Sequence, residues 1–544
     1  TRNGRNAEYC GYRKTYKIHK YGVYNKIMKE KDDNLFYDIS GITETSGIRE
    51  RATVEYMNAA LSREFSDIKI SEVSINESGV FKNKAADFLA GIGGTAKIEG
   101  LPPYVSVKIN HKTGKNEETI VIWSPLEWNE RFVGCPGGGT SVGGERYITA
   151  PNNVSRGMTM AKGIINHFTA ATTDGGAKTD DWAFDENGKL DFELIENWRA
   201  ASTHFMTLIG KRVAEILHGK AVKYSYLHGG SGGGRQCMVE AQEFPEDYDG
   251  IWASCPAINW SKFLLMGLWA TAVMNSGRHY VGYKKMNFFM SKVHDSVGGK
   301  EEYYKRQEKT TFNPFSLVGE KIGNDVVTQE DAEIVEKIWN GPKDNNGNIL
   351  VRAHRPGVQC WNKILPIGAF WYPLFSKKPK PFFLAVRYAR WVTGNPNEKF
   401  DDITIEKWYE LYEKSVENFG DCLAYSPDLS AFKNRGGKLI IDHGIDDPLI
   451  PVDNTIDYYE KLIEFFGKSD LDDFVKLYIT PGDGHGTCSW HGPGITDKDG
   501  MTTLISWVEK GIAPASIRTV LVDRSGETLQ VSEQQPYCSE NNLL

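Results

Sequence analysis

A chain of 544 residues exceeds what one ordinary hydrophobic core organises and points to two to four structural units. With 40% hydrophobic and 25% charged residues and a net charge of −7, its make-up is that of a globular protein without the clustered basic surface that nucleic-acid binding needs. No run approaches the roughly 18 apolar residues of a membrane span; the best, Phe263 to Met274, is short and predicts a buried helix.

Eight cysteines at positions 10, 135, 237, 255, 360, 422, 488 and 538 include no C-x-x-C pair. That argues against a structural zinc site and against a disulfide-stapled mini-domain, while an even count permits disulfides. The chain starts at Thr1 and not at Met, which admits a cleaved signal peptide or a trimmed start. A secreted or cell-envelope location is the expectation, with the cytoplasm as the alternative.

In chain order, residues Arg51 to Phe65 carry helical spacing and Ile68 to Ile75 alternate like a strand. Tyr104 to Ile109 and Thr119 to Trp123 read as a hairpin around NHKTGKNEE, and Arg131 to Gly134 makes a third short strand running into a glycine loop. Strands then alternate with helices. Lys162 to Thr173 suggests a strand, Glu193 to Leu217 a long helix ending at Gly219, and Val222 to Leu227 a strand; Gly233 to Glu243 reads as a helix and Gly250 to Ala253 as a strand. From about Ala257 to Ser430 strand signals fade into an aromatic-rich, mostly helical region, in which Lys377-Lys378-Pro379-Lys380 reads as a solvated loop. The sheet pattern returns at Lys438 to Asp442, followed by a helix capped by Asn454 and closed by Gly467, a strand Val475 to Ile479, and a last helix near Thr502 to Gly511. This order predicts an α/β fold with a mostly parallel sheet covered on both faces. The predicted units are a core of residues 1–256 and 431–544 with an inserted lid of 257–430.

The pattern G-x-S-x-G occurs twice, at Gly229–Gly233 and at Gly139–Gly143. A nucleophile elbow needs a strand before the serine and a helix after it, so that the sharp turn lifts the hydroxyl clear of the sheet. Ser231, between VKYSYLHGG and RQCMVEAQEF, has both flanks; Ser141 leads into Glu145-Arg146-Tyr147 and Pro151 without a helix. Gly137-Gly138-Gly139 follows the third strand, where hydrolases of this kind place backbone donors for an oxyanion. Of the histidines downstream, His485 directly follows a strand, within Pro481-Gly482-Asp483-Gly484-His485-Gly486. His443 reads as a satisfied buried histidine, His491 as a surface residue and Asp483 as a loop-stabilising carboxylate. The loop after KLIID offers two acids, Asp446 and Asp447, which spacing does not separate.

Together these segments make the chain resemble the tannase and feruloyl esterase family, of the α/β-hydrolase fold. The resemblance runs through RFVGCPGGG, HGGSGGGRQ with EAQEFPEDYDGIWASCPAINW behind it, PDLSAFKNRGGKLIIDHGIDDPLIP, PGDGHG and SWVEKGIAP, with a looser match at VVTQEDAEIVEKIWNGPKDNNG. It implies a serine carboxylesterase in which Ser231 is the nucleophile, His485 the base and Asp447, not Asp446, the orienting acid, with the Gly232 and Gly138 amides in the oxyanion hole. Two positions depart from the family. Cysteines that many members carry beside the nucleophile and the histidine, joined in a disulfide, are Gly230 and Gly486 here, and activity is therefore expected to survive mild reductant. The Asp-rich calcium loop of many members falls near His294 to Gly299, which lacks the carboxylates.

The resemblance implies a small aromatic ester as substrate: galloyl esters first, hydroxycinnamoyl esters as the alternative, with the family's polyester half-ester hydrolases showing that the pocket drifts. No cofactor is expected, and the structural calcium of relatives is doubtful. Aromatic walls for the acyl ring are expected from Trp361, Phe370, Trp371, Tyr372 and Phe375. Competing readings are a non-catalytic binding protein with this fold and a peptidase or lipase on it.

Overall fold

The computed structural model describes residues 35–82, 97–145, 157–179, 181–363, 366, 368–486, 491–523 and 527–538. Cys10, Cys488 and the stretch after Glu145 that was weighed against Ser141 lie outside them. Nine strands form the central sheet: β1 (Ile68–Asn76), β2 (Tyr104–Thr113), β3 (Asn116–Pro125), β4 (Arg131–Gly134), β5 (Thr169–Thr173), β6 (Tyr224–Gly230), β7 (Gly250–Ser254), β8 (Lys438–Gly444) and β9 (Val475–Thr480). Their spatial order is β1-β2-β3-β5-β4-β6-β7-β8-β9. β1, β2, β3 and β5 pair antiparallel in turn, and every pairing from β5 through β4 to β9 is parallel. This is the α/β-hydrolase arrangement: an antiparallel start feeding a parallel sheet.

The strands are apolar because both faces are covered, as parallel sheets require. Ile251, Ala253, Leu439 and Ile441 face a layer built from α3 (Ser202–His218), α4 (Gly232–Glu243) and α10 (Val452–Phe466). The alternate residues Trp252 and Ile440 face α2 (Met160–Ile165) and α11 (Asp497–Lys510). A short helix α1 (Val54–Leu61), capped by Thr53, precedes β1. It is shorter than the helical spacing of Arg51 to Phe65 suggests, because its cap sits two residues into that window. The hairpin strands β2 and β3 are longer than predicted: Thr113 pairs directly with Asn116, and Gly114 at φ +62° makes the tight turn between them.

Three expectations need correction. Lys162 to Thr173 is not strand throughout, because Thr159 caps α2 and only Thr169–Thr173 joins the sheet. Asn454 does not cap α10, which starts at Val452 after Pro451; its side chain instead donates to the Ile258 carbonyl (2.8 Å) and accepts from Asn259 (3.1 Å). The long helix from Glu193 to Leu217 is interrupted by a π-helical turn at Asn197–Ala201. Such a turn spoils the regular hydrogen-bond ladder and leaves carbonyls to be met from outside. The Arg235 guanidinium, 1% exposed, meets them: Nη2 donates to Trp198 O (2.6 Å) and Nη1 to Arg199 O (2.8 Å), while its plane lies 3.9 Å over the Trp198 ring. Burial draws its pKa down to about 10.

Between β7 and β8 the chain leaves the sheet on a long excursion. Its main helices are α5 (Met266–Gly277), α6 (Tyr283–Ser296), α7 (Gln329–Asn340), α8 (Phe383–Thr393) and α9 (Ile405–Phe419). Three short strands, Trp361–Lys363, Phe370–Tyr372 and Lys380–Pro381, form a separate small sheet. The excursion shares one apolar cluster with Val142, Trp182, Ile195 and Trp198 of the core, and Trp361, Phe370 and Tyr372 lie in it at 2%, 1% and 0% exposure. Phe375, by contrast, is 95% exposed. Of the five aromatic residues expected as pocket walls, three are therefore core and one faces solvent. The two ends of the excursion meet: the Asn259 amide donates to the Leu423 carbonyl at 2.6 Å. In the lysine-rich loop, Lys378 pairs with Asp402 and Lys380 with Asp401 (3.3 Å). The stretch His294–Gly299 ends α6 and turns into the short helix Lys300–Tyr303.

Arg235→Ala removes both donors from the π turn and leaves a void under Trp198. It should lower stability by about 3 kcal/mol, read as a fall in the urea or thermal midpoint.

Candidate active site

The site forms at the carboxyl ends of β6, β7, β8 and β9. Ser231 stands between β6 and α4 with φ 60° and ψ −122°, a backbone conformation that non-glycine residues avoid. It is held there from both sides: its N–H donates to Ser254 O and its carbonyl accepts from Ala257 N–H, each at 3.0 Å. The turn is passable because the neighbours lack side chains. A Cβ on Gly232 would lie 2.8 Å from Gly139 N, and one on Gly233 would lie 2.6 Å from Gly137 O. The glycine loop after β4 thus packs directly on the elbow.

Gln236, one turn into α4, fixes that loop. It donates to Val142 O (3.0 Å) and Thr203 Oγ1 (2.8 Å), and its Oε1 accepts from Gly137 N–H (3.3 Å). The Gly137 amide is also spent on Val142 O at 2.6 Å, so it is not available to an oxyanion. Gly138 and Gly139 face the start of α4, whose first amide belongs to Gly232. Ser141 sits inside this tight loop, its amide donating to Gly138 O (3.0 Å) and its hydroxyl to Gly143 O (3.3 Å).

Asp447 and His485 come from the loops after β8 and β9. These loops press together at Gly444, where a Cβ would lie 2.6 Å from the Asp483 carbonyl carbon. His485 Nδ1 donates to Asp447 Oδ2 at 2.6 Å. The other carboxylate oxygen accepts from Leu449 N–H (2.8 Å) and Ile450 N–H (3.0 Å). His443 also reaches Asp447: its Nε2 lies 3.1 Å from Oδ2, while Nδ1 meets Thr455 Oγ1 at 2.8 Å. Burial alone would raise the Asp447 carboxyl, but His485 and the hydrogen bonds from both histidines hold it well below the usual carboxylate range. Burial pulls His485 down, and Asp447 and Cys255 outweigh it, so that the imidazole stays above its ordinary value.

The neighbouring acid has the opposite environment. Asp446 is buried against Tyr303 and Tyr304, and desolvation pushes its carboxyl well above the ordinary value. His491 is no surface residue: it stacks on Tyr304 (4.1 Å, 10°) and lies 3.4 Å from Asp446, and burial lowers its pKa to about 4. Asp483 accepts from the Gly484 amide in its own loop (2.9 Å).

Sequence reasoning missed three contributors. His443, at the end of β8, is the satisfied buried histidine that the sequence predicts, and beyond that reading it is a second partner of Asp447 four residues on. Cys255, the residue immediately after β7, places its sulfur within 4.8 Å of a His485 ring nitrogen. The third is helix α8: Leu384 lies 3.6 Å from where a Gly139 Cβ would sit, and Arg387 donates to Thr140 Oγ1 at 3.0 Å. Among the described residues, one group of three donors is close enough to grip a metal ion, and it is Cys255, Asp447 and His485, all within 4.8 Å. An N···O contact of 2.6 Å is a hydrogen bond, too short for an ion seated between those two atoms.

Comparison with known proteins places the chain. Residues 108–540 match the family described as tannase and feruloyl esterase. A probable feruloyl esterase from Arthroderma benhamiae is 32% identical over 454 residues, covering 78% of this chain and 79% of its own length. The chain belongs to the tannase and feruloyl esterase family. It is a carboxylic ester hydrolase. A mono(2-hydroxyethyl) terephthalate hydrolase from Piscinibacter sakaiensis is 27% identical over 496 residues, covering 78% and 79%. In structure, tannin acyl hydrolase from Aspergillus niger superposes with a TM-score of 0.72 at 20% identity, over 91% of this chain and 93% of its own. Feruloyl esterase B from Aspergillus oryzae gives 0.71 at 17% identity, over 89% and 96%. These structural likenesses carry the α/β-hydrolase fold. No helix among the described residues is long and apolar enough to cross a membrane.

Gly232→Ala should force the glycine loop away from the elbow. We expect a loss of about 1–3 kcal/mol in thermal stability together with a fall in aryl-ester hydrolysis. Gly420→Ala, whose added Cβ meets nothing within 4 Å, should leave both unchanged.

Proposed function

We propose that the chain hydrolyses esters of hydroxylated aromatic acids by acyl transfer through Ser231. The observation that carries this reading is the buried His485–Asp447 hydrogen bond of 2.6 Å, formed at the same carboxyl edge of the sheet as a serine held at φ 60° on a glycine-only turn. In the proposed cycle Ser231 Oγ attacks the ester carbonyl as His485 takes its proton, and Asp447 fixes the imidazole tautomer and stabilises the imidazolium. The Gly232 and Gly138 amides bind the oxyanion. His485 then protonates the leaving alcohol, and water repeats the sequence on the acyl-enzyme. No metal or cofactor takes part. The excursion of residues 257–430 acts as a lid, its helix α8 resting over the glycine loop.

For the acyl group we favour a hydroxycinnamoyl ester, with a galloyl ester second. The galloyl preference came from the family resemblance; the five aromatic walls do not separate a galloyl from a hydroxycinnamoyl ring, and three of them serve as core. The relatives named feruloyl esterase support the hydroxycinnamoyl choice.

Ser231→Ala should fold normally and lose roughly 10³-fold or more in kcat, whereas Ser141→Ala should cost far less. Because His485 must be neutral to act as base and its pKa is held up, kcat/KM should fall as pH drops through a value above about 6.5. Asp447→Asn should nearly abolish turnover and lower that limb, while Asp446→Asn should leave the limb in place. A dead Ser141→Ala with an active Ser231→Ala would reverse the assignment.

Substrate choice is checked by kcat/KM for three methyl esters. Methyl ferulate and methyl gallate should each exceed methyl benzoate by about tenfold or more, since polar groups built to meet a ring hydroxyl are left unpaired by an analogue lacking it. Equal values for the three would sink the hydroxylated-acid reading.

A further inference from the structure

Cys255 has no part in the proposed cycle, yet it lies beside the cycle's base. The residue lies at φ 36° and 0% exposure, immediately after β7. The hydrogen bonds that anchor Ser231 bracket it, one accepted by Ser254 O and one donated by Ala257 N–H. Its own amide donates to Asp442 O at 2.6 Å. Its sulfur, an Asp447 oxygen and a His485 nitrogen lie within 4.8 Å of one another.

We propose that Cys255, His485 and Asp447 form an inhibitory site for a thiophilic divalent cation of the zinc class, which shuts the enzyme by occupying its general base. The inference rests on the esterase reading for its consequence, though not for the binding itself. Zinc bound tetrahedrally by sulfur, imidazole nitrogen and carboxylate oxygen sets its donor atoms roughly 3.3–3.7 Å apart. The cluster, its donor atoms within 4.8 Å of one another, must contract around the ion, and the 2.6 Å pair between Asp447 and His485 must open to admit it.

Binding releases one proton to solvent, from the thiol, while the imidazole keeps a single proton on the ring nitrogen turned away from the ion, and it involves no oxidation or reduction. A dication with one thiolate, one carboxylate and one neutral imidazole sums to zero charge, which suits a buried place. Water supplies the fourth ligand. Since protons compete for these ligands, affinity rises with pH.

The test has two arms. In the first, zinc chloride should inhibit turnover of a chromogenic aryl ester, more deeply at about pH 8 than at about pH 6, and a chelator should restore the rate. Cys255→Ala and Cys255→Ser should raise the zinc inhibition constant at least about tenfold, each read against its own uninhibited rate. Cys538→Ser, which removes an exposed thiol, should leave the constant unchanged. In the second arm, cadmium chloride added to Ser231→Ala should give a thiolate-to-cadmium charge-transfer band that Ser231→Ala/Cys255→Ala lacks. Equal zinc sensitivity in the Cys255 variants, or a band that survives the double substitution, overturns the site. A Cys255-dependent band in a chain that turns over no ester would leave the site standing and overturn the esterase reading instead.

Discussion

A strained backbone at one residue organises this molecule. Holding Ser231 at positive φ requires hydrogen bonds on both sides of the turn and requires two chain segments to approach where no side chain fits. The loop after β4, the start of α4 and the end of β7 are all fixed by that requirement. Gln236 and Arg235, consecutive on α4, then extend the constraint outward, one to the glycine loop and one to the π turn before α3. The cost of the strain, of order 1–3 kcal/mol, is met by the hydrogen bonds and packing around the turn.

The two adjacent acids show how environment divides identical chemistry. Both are buried after the same strand, yet Asp447 gathers two backbone amides and two histidines, while Asp446 gathers phenols. Desolvation is common to both; only the partners differ. A carboxylate stays charged at depth where donors converge on it, and such a charge can in turn hold an imidazole in one tautomer.

Much of this was legible in the sequence. Ser231 was identifiable because a strand and a helix leave different periodicities on either side of it, and β4 and β9 were placed to within a residue. What escaped detection depends on long-range contact. Nothing local marks Asn197–Ala201 as a π turn, and the guanidinium that meets its carbonyls, Arg235, lies far along the chain. Cys255 carries no signature beyond its position after β7; its importance comes from a loop more than two hundred residues away. The aromatic run around Phe370 misled for a related reason: composition reports that rings will be buried, not whether against a substrate or against each other.

The meeting of Asn259 with Leu423 has a consequence for how such enzymes diversify. A segment whose entrance and exit are joined by one hydrogen bond is, to the sheet, no longer than a tight turn. Its length and composition can change without altering the distance the chain must span between β7 and β8. Loops of any size that keep those two ends together are interchangeable in this sense, and the excursion behaves as a cassette.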